Sequence, residues 1–136
     1  MERLNPDDYD ALASFRYLLR KFLRFSKDLL RAKAGLNPEQ YEALLAIKAF
    51  AAPENLTISQ LSERLQIKHH SAVNIVDRLV ERKLIRRLAG EHDRRERRLE
   101  LTSNGEKLIE ELARAHHEEL SQRSDQMIKA LQRLKK

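Results

Sequence analysis

The chain has 136 residues, 41% of them hydrophobic and 35% charged, with a formal net charge of +6. It contains no Cys, which excludes disulfides, thiolate metal sites and cysteine redox sensing, and its 3 Gly and 3 Pro give little turn material for an all-β fold. No apolar run approaches the ~18 residues that span a membrane, and the N-terminus is polar and acidic, so a single cytoplasmic domain without a membrane partner is expected.

The positive charge is concentrated. From Arg64 to Arg98 there are 11 Lys and Arg against 5 Asp and Glu, while the remainder carries 16 of each. A local excess of this kind draws polyanions and gives salt-dependent affinity for phosphates.

Residues 7 to 33 read as one long helix. Leu12, Phe15, Leu18, Leu19, Phe22, Leu23, Leu29 and Leu30 recur at helical spacing. Arg16, Arg20, Arg24 and Arg31 take the opposite side, and Gly35 is placed to stop the helix. Asn37-Pro38-Glu39-Gln40 reads as a helix start, with Asn37 as cap and Gln40 able to reach back to it. That helix should carry Tyr41, Leu44, Leu45, Ile47 and Phe50 inward and stop before Pro53, with Asn55-Leu56 as a short connection.

Thr57-Ile58-Ser59-Gln60 is a second capping box. It opens a short helix with Leu61 and Leu65 facing in, which ends near Leu65 or Gln66. A longer helix follows from about Lys68 or His69 to about Lys83, burying Val73, Val76, Leu79 and Val80. Helix, tight turn, longer helix is the helix-turn-helix spacing. Arg86 to Leu88 and Arg97 to Leu101 then alternate as two half-buried strands around a polar loop that contains Gly90. Thr102 caps a last helix with Leu108, Leu112, Ala115, Leu120, Met127, Leu131 and Leu134 at heptad-like positions. Its stripe weakens from His116 to Asp125, which predicts a kink or break.

The second helix of a helix-turn-helix sets its N-terminal residues against base edges in the major groove. Here those residues are Lys68, His69, His70, Ser71 and Asn74. Asn pairs with adenine, and Lys, His and Ser donate to guanine or phosphate. Arg78 lies one turn further, toward the backbone. Ser59 and Gln60 start the preceding helix, where amides and short polar groups hold a phosphate. For any one of these residues an ordinary polar surface is the better reading; five together, backed by a basic hairpin, favour nucleic acid. In the loop from Gly90 to Arg98, an Arg at the hairpin tip can enter a narrow minor groove, and Asp93 can orient Arg95. A solvated surface ion pair accounts for the loop equally well.

His69-His70 and His116-His117-Glu118-Glu119 do not chelate as i, i+4 pairs do, since neighbours on a helix point about 100° apart. No metal or cofactor is expected. No nucleophile–base pair, Gly-rich phosphate loop or paired-acid site stands out, so no enzyme is expected either.

With these motifs in this order, the chain resembles the MarR family of winged-helix transcriptional regulators. The matching stretches are Asn37 to Gln40, Thr57 to Leu61, Ser71-Ala72-Val73-Asn74, Val76-Asp77-Arg78-Leu79, Leu84-Ile85-Arg86-Arg87, Asp93-Arg94-Arg95 and Leu101-Thr102. The resemblance implies a mainly α fold with a small β wing, in which a winged helix-turn-helix (37–102) is flanked by dimerisation helices (1–36 and 103–136). It implies a homodimer on pseudo-palindromic double-stranded DNA, usually a repressor, with Asp93 aiming Arg95 at the minor groove. For many members it also implies release by a small, often aromatic anion bound between the dimer helices and the DNA-binding lobe. The C-terminal region is short for the family, and without Cys the thiol switch of its peroxide-sensing branch is excluded. The alternatives from other classes are a helical adaptor whose basic lobe binds an acidic protein partner, and a metal-dependent sensor.

Overall fold

In this computed structural model, which describes residues 3–89 and 97–135, the first helix, α1, spans Pro6–Ala34. Its start is fixed by a reciprocal cap. The Asp8 amide donates to Asn5 Oδ1 at 2.9 Å and the Asn5 amide to Asp8 Oδ2 at 3.0 Å, satisfying donors the first turn leaves open. It ends at Gly35, with φ 62, a left-handed conformation that Gly adopts without a Cβ penalty. The next helix, α2, spans Pro38–Ala49 and is capped in the same way by Asn37 and Gln40.

Helix α2 buries Tyr41, Ala43, Leu44, Ala46 and Ile47. Leu45 and Phe50, expected inward, are instead 39% and 37% exposed. Leu45 is rotated about 100° from Leu44 and points off the core face. Phe50 follows the last helical residue, and its ring is covered by the Arg64 guanidinium at 3.5 Å from the ring centroid.

The helix-turn-helix comprises α3 (Ile58–Leu65) and α4 (His69–Glu81). Thr57 and Gln60 form the expected capping box at α3, which ends at Gln66 in the left-handed region. Helix α4 stops short of Lys83 and buries Ala72, Val76 and Leu79; Val73 and Val80 are half-buried. The inward face is thus centred on Ala72, Val76 and Leu79, and Val73 lies about 100° to one side of Ala72.

Strands β1 (Ile85–Ala89) and β2 (Arg97–Leu101) pair antiparallel, with Ile85 opposite Leu101 and Ala89 opposite Arg97. The sheet reaches further than two strands. The Leu99 amide donates to the Leu56 carbonyl at 2.8 Å, and Thr57 bridges Arg98, so the Asn55-Leu56 connection runs along the sheet edge and anchors the wing to the start of α3.

The last helix, α5, spans Ser103–Arg133 without a break. The expected interruption between His116 and Asp125 is absent because those polar groups find partners along the helix and across to α1. His116 is buried against α1, and Glu119 pairs with Arg123 one turn on, at 2.6 Å with both side chains largely covered. Helices α1 and α5 run antiparallel: Arg133 pairs with Asp7 and Asp10 at one end, while Ser26 meets His116 nearer the other. The core is one cluster, from Leu30 and Leu36 through Leu44, Ile47, Leu61, Val76, Leu79 and Leu99 to Ile109 and Leu112. Of the heptad-like positions on α5, Leu112 is buried and Leu120, Leu131 and Leu134 are exposed in the single chain.

Candidate nucleic-acid interface

Helix α4 presents the residues singled out from sequence over its first three turns. Lys68, its N-cap, and His69, His70, Asn74 and Arg78 are all exposed, and Ser71 is half-buried. The helix buries Ala72, Val76 and Leu79, so Asn74 and Arg78, four apart, share the opposite face and continue the row begun by His70. The Lys68 side chain caps nothing. Among the described residues, Lys68 and Arg78 make no ion pair, which leaves their charge available to an incoming anion.

Ser59 and Gln60 are exposed on the first turn of α3. Gln60 is partly committed: its Oε1 accepts from the Thr57 amide at 2.9 Å, which leaves its side-chain amide nitrogen for other work. Ser59, Ser62, Glu63, Gln66, Ile67 and Lys68 line an open hollow of about 530 Å³ where the turn between α3 and α4 meets solvent. Asp93, Arg94 and Arg95 lie outside the described residues.

The basic excess from Arg64 to Arg98 divides into two groups. Much of it is structural. Arg87 pairs with Asp77 on α4, Arg86 with Glu100 across the sheet at 3.0 Å, and Arg98 with Glu54 at 2.9 Å. Arg64 lies on Phe50, and Arg82 reaches the end of α1. Lys68, Arg78, Lys83 and Arg97 make no ion pair among the described residues and form the free cationic share.

Behind the lobe, α1, α2 and α5 meet at an aromatic cluster. The His116 ring stacks on Tyr41, with centroids 4.3 Å apart and planes 14° apart, and meets Phe22 and Phe25 edge-on. Burial, reinforced by Glu42, raises the Tyr41 hydroxyl above its ordinary pKa of 10.0. His116 was read from sequence as a polar helix residue. Ser26 and the aromatic rings around it lie on other helices, which no local pattern reveals. Among the described residues, no group of three or more His, Asp or Glu gathers as metal ligands would.

The geometry of a lobe with an exposed second helix, a two-stranded wing and long flanking helices now stands beside known proteins. The family model that matches is that of the MarR family, over residues 34–96, from the end of α1 into the wing. The HTH-type transcriptional repressor MdtR of Bacillus subtilis is 30% identical over 93 residues, covering 67% of this chain. The chain belongs to the MarR family. The match spans 58% of the length of the Bacillus subtilis relative. A MarR family protein from Bacillus stearothermophilus superposes with a TM-score of 0.74 at 23% identity, over 88% of this chain and 81% of that one. A variant of MepR from S. aureus, bound to an oligodeoxyribonucleotide, superposes with a TM-score of 0.68 at 23% identity, over 93% of this chain and 94% of that one. These likenesses identify the fold as the MarR winged helix.

Sequence reasoning missed Arg82, Gly105 and a second role of Thr102. Arg82 bonds to carbonyls 47 and 48 residues away, a partnership without a local signal. Thr102 was found as a cap, but its hydroxyl also donates to the Lys83 carbonyl at 2.6 Å and so ties α5 to the end of α4. Gly105 could have been suspected as a small residue in the first turn after a cap; it is buried against the Leu84 carbonyl.

Proposed function

We propose that the chain is a sequence-specific double-stranded-DNA-binding transcriptional regulator, a repressor that acts as a homodimer on a pseudo-palindromic operator. The observation that carries this reading is the row His70, Asn74 and Arg78 on the open face of α4, flanked by the free charge of Lys68 and the exposed start of α3. An α-helix fits the B-DNA major groove, and these residue types hydrogen-bond base edges and phosphates. Asp93, Arg94 and Arg95 complete the interface from the wing. MdtR being a transcriptional repressor, and the MepR variant being bound to an oligodeoxyribonucleotide, support the same reading.

One lobe reads half a site, so residues 37–102 work as the reading lobe, and residues 1–36 with 103–136 hold two of them. Leu4, Tyr9, Leu12 and Leu23 on the α1 side and Leu120, Ile128, Leu131 and Leu134 on the α5 side are exposed in the single chain. Large apolar side chains gathered on one helical pair mark an association surface, and a second copy presents the same surface in a two-fold arrangement. A small aromatic or anionic effector bound between the helices and the lobe would shift the spacing of the lobes and release DNA; this part of the proposal rests on family membership.

The test is titration of duplexes from the chain's own promoter region at several salt concentrations. Two chains per duplex are expected, with log affinity falling linearly with log salt. Binding that ignores both salt and sequence, or one chain per palindromic duplex, contradicts the proposal and favours the acidic-partner adaptor.

A further inference from the structure

The C-terminal ends of α1 and α4 are joined by the side chain of Arg82. At Gly35 the chain turns away in the left-handed region, with the Gly35 amide and the Leu36 amide donating back to Arg31 and Leu30. That turn satisfies carbonyls inside α1 and leaves those of Ala34 and Gly35 beyond the last helical donor. Arg82, the C-cap of α4, spans both: its Nη2 donates to the Ala34 carbonyl at 2.7 Å and its Nη1 to the Gly35 carbonyl at 3.3 Å. The guanidinium also sits at the negative end of the α1 dipole, where a cation is favoured. Direct packing between α1 and α4 is otherwise slight.

We infer that Arg82 is a positioning residue that sets the angle between the reading helix α4 and the dimer helix α1, and with it the spacing of the two half-sites the dimer accepts. The inference rests on the proposed dimeric DNA-binding function and adds to it the residue that transmits spacing. The lever arm makes a small tilt matter. A helix of 13 residues is about 20 Å long, so a tilt of about 10° at its C-terminal end moves its first turn by about 3.4 Å, one base-pair step. Arg suits the position because its planar fork offers two donors in fixed relation to two adjacent carbonyls, whereas Lys presents one compact charge on a flexible stem. Arg82 touches no base in this reading. It acts through the orientation of α4.

The experiment uses the full chain and, as probe, a duplex that the wild-type chain enriches from a random-sequence pool. That duplex is then remade with its half-site spacer one base pair longer or shorter. The wild-type chain is expected to lose roughly tenfold in affinity on either change. Arg82→Ala is expected to discriminate less than about threefold among the three spacers while keeping its base preference within each half-site, and Arg82→Lys to fall between. If Arg82→Ala does not fold, the wild-type and Arg82→Lys comparison gives the same reading. A uniform loss on all three duplexes, with the spacer penalty unchanged, marks a merely structural role and overturns the inference alone. Failure of the wild-type chain to enrich any duplex overturns the DNA-binding reading and this inference with it.

Discussion

Ser26 on α1 and His116 on α5 are joined by a buried hydrogen bond of 2.8 Å between Oγ and Nε2. The other ring nitrogen, Nδ1, lies 2.7 Å from the Leu112 carbonyl. A carbonyl only accepts, so Nδ1 donates to it, and in the Nδ1–H tautomer Nε2 accepts from the Ser26 hydroxyl. Both side chains, the buried polar ones of the α1–α5 seam, are therefore satisfied, and no buried side-chain nitrogen or oxygen among the described residues lacks a partner. Removing one partner leaves the other buried and unpaired. Ser26→Ala is expected to cost about 1–3 kcal/mol in urea unfolding. His116→Phe, which keeps a ring against Tyr41, is expected to cost less in the Ser26→Ala background than alone. Independent, additive effects would show that the bond does not couple the helices.

Gly105 is fixed by contact rather than by backbone freedom. A Cβ placed there would lie 2.0 Å from the Leu84 carbonyl oxygen, and that carbonyl is already held by the Thr102 amide at 3.0 Å. Gly105→Ala must push the first turn of α5 away from the turn after α4. A loss of roughly 1–3 kcal/mol is expected by the scale of overpacking, with weaker protection of the wing amides in hydrogen exchange. An unchanged melting transition would mean the two turns separate freely.

Lys83 adopts φ 61, a conformation that costs a non-glycine residue about 1–2 kcal/mol. Its amide donates to the Val80 carbonyl and the following Leu84 amide to Leu79, so the turn that redirects the chain from α4 into β1 requires this geometry. Lys83→Gly relieves the clash and gives back part of the gain through a more flexible unfolded chain. A net stabilisation of about 0.5–1 kcal/mol is expected by thermal or urea unfolding. Destabilisation would point to a contact of the Lys83 stem that outweighs its strain.

Asn74 and Arg78 share a face of α4 but have different expected jobs. Asn74→Ala should cost about 1–3 kcal/mol on the preferred duplex and much less on one altered at the contacted base pair, so selectivity falls. Arg78→Ala should weaken all duplexes about equally and flatten the salt dependence by about one unit of slope. Fluorescence anisotropy on matched and altered duplexes separates the two. Equal behaviour of the two variants would mean that α4 is not seated in the groove as described.

Every helix cap read from sequence proved to be made by the residues named, because a cap and its partner lie three positions apart and depend on little else. Asn37 with Gln40 and Thr57 with Gln60 are of this kind, and Thr102, read as a cap, accepts from the Gly105 amide. The inward positions were less legible. Hydrophobicity alone placed Leu45 and Phe50 inside, but which face is covered depends on the helices that arrive against it. The polar stretch of α5 misled for the same reason, since the partner of His116 is 90 residues away.

By itself, then, the sequence determined the order of elements, the capped starts of α2, α3 and α5, the residues that open α4, and the family, since all of these rest on short-range spacing and composition. Only the tertiary structure decided which cations are free and which are tied into ion pairs, that His116 belongs to the core, and that Arg82 links α4 to α1. Those facts depend on groups brought together from distant parts of the chain, where the strength of a charge or a donor is set by what packs against it.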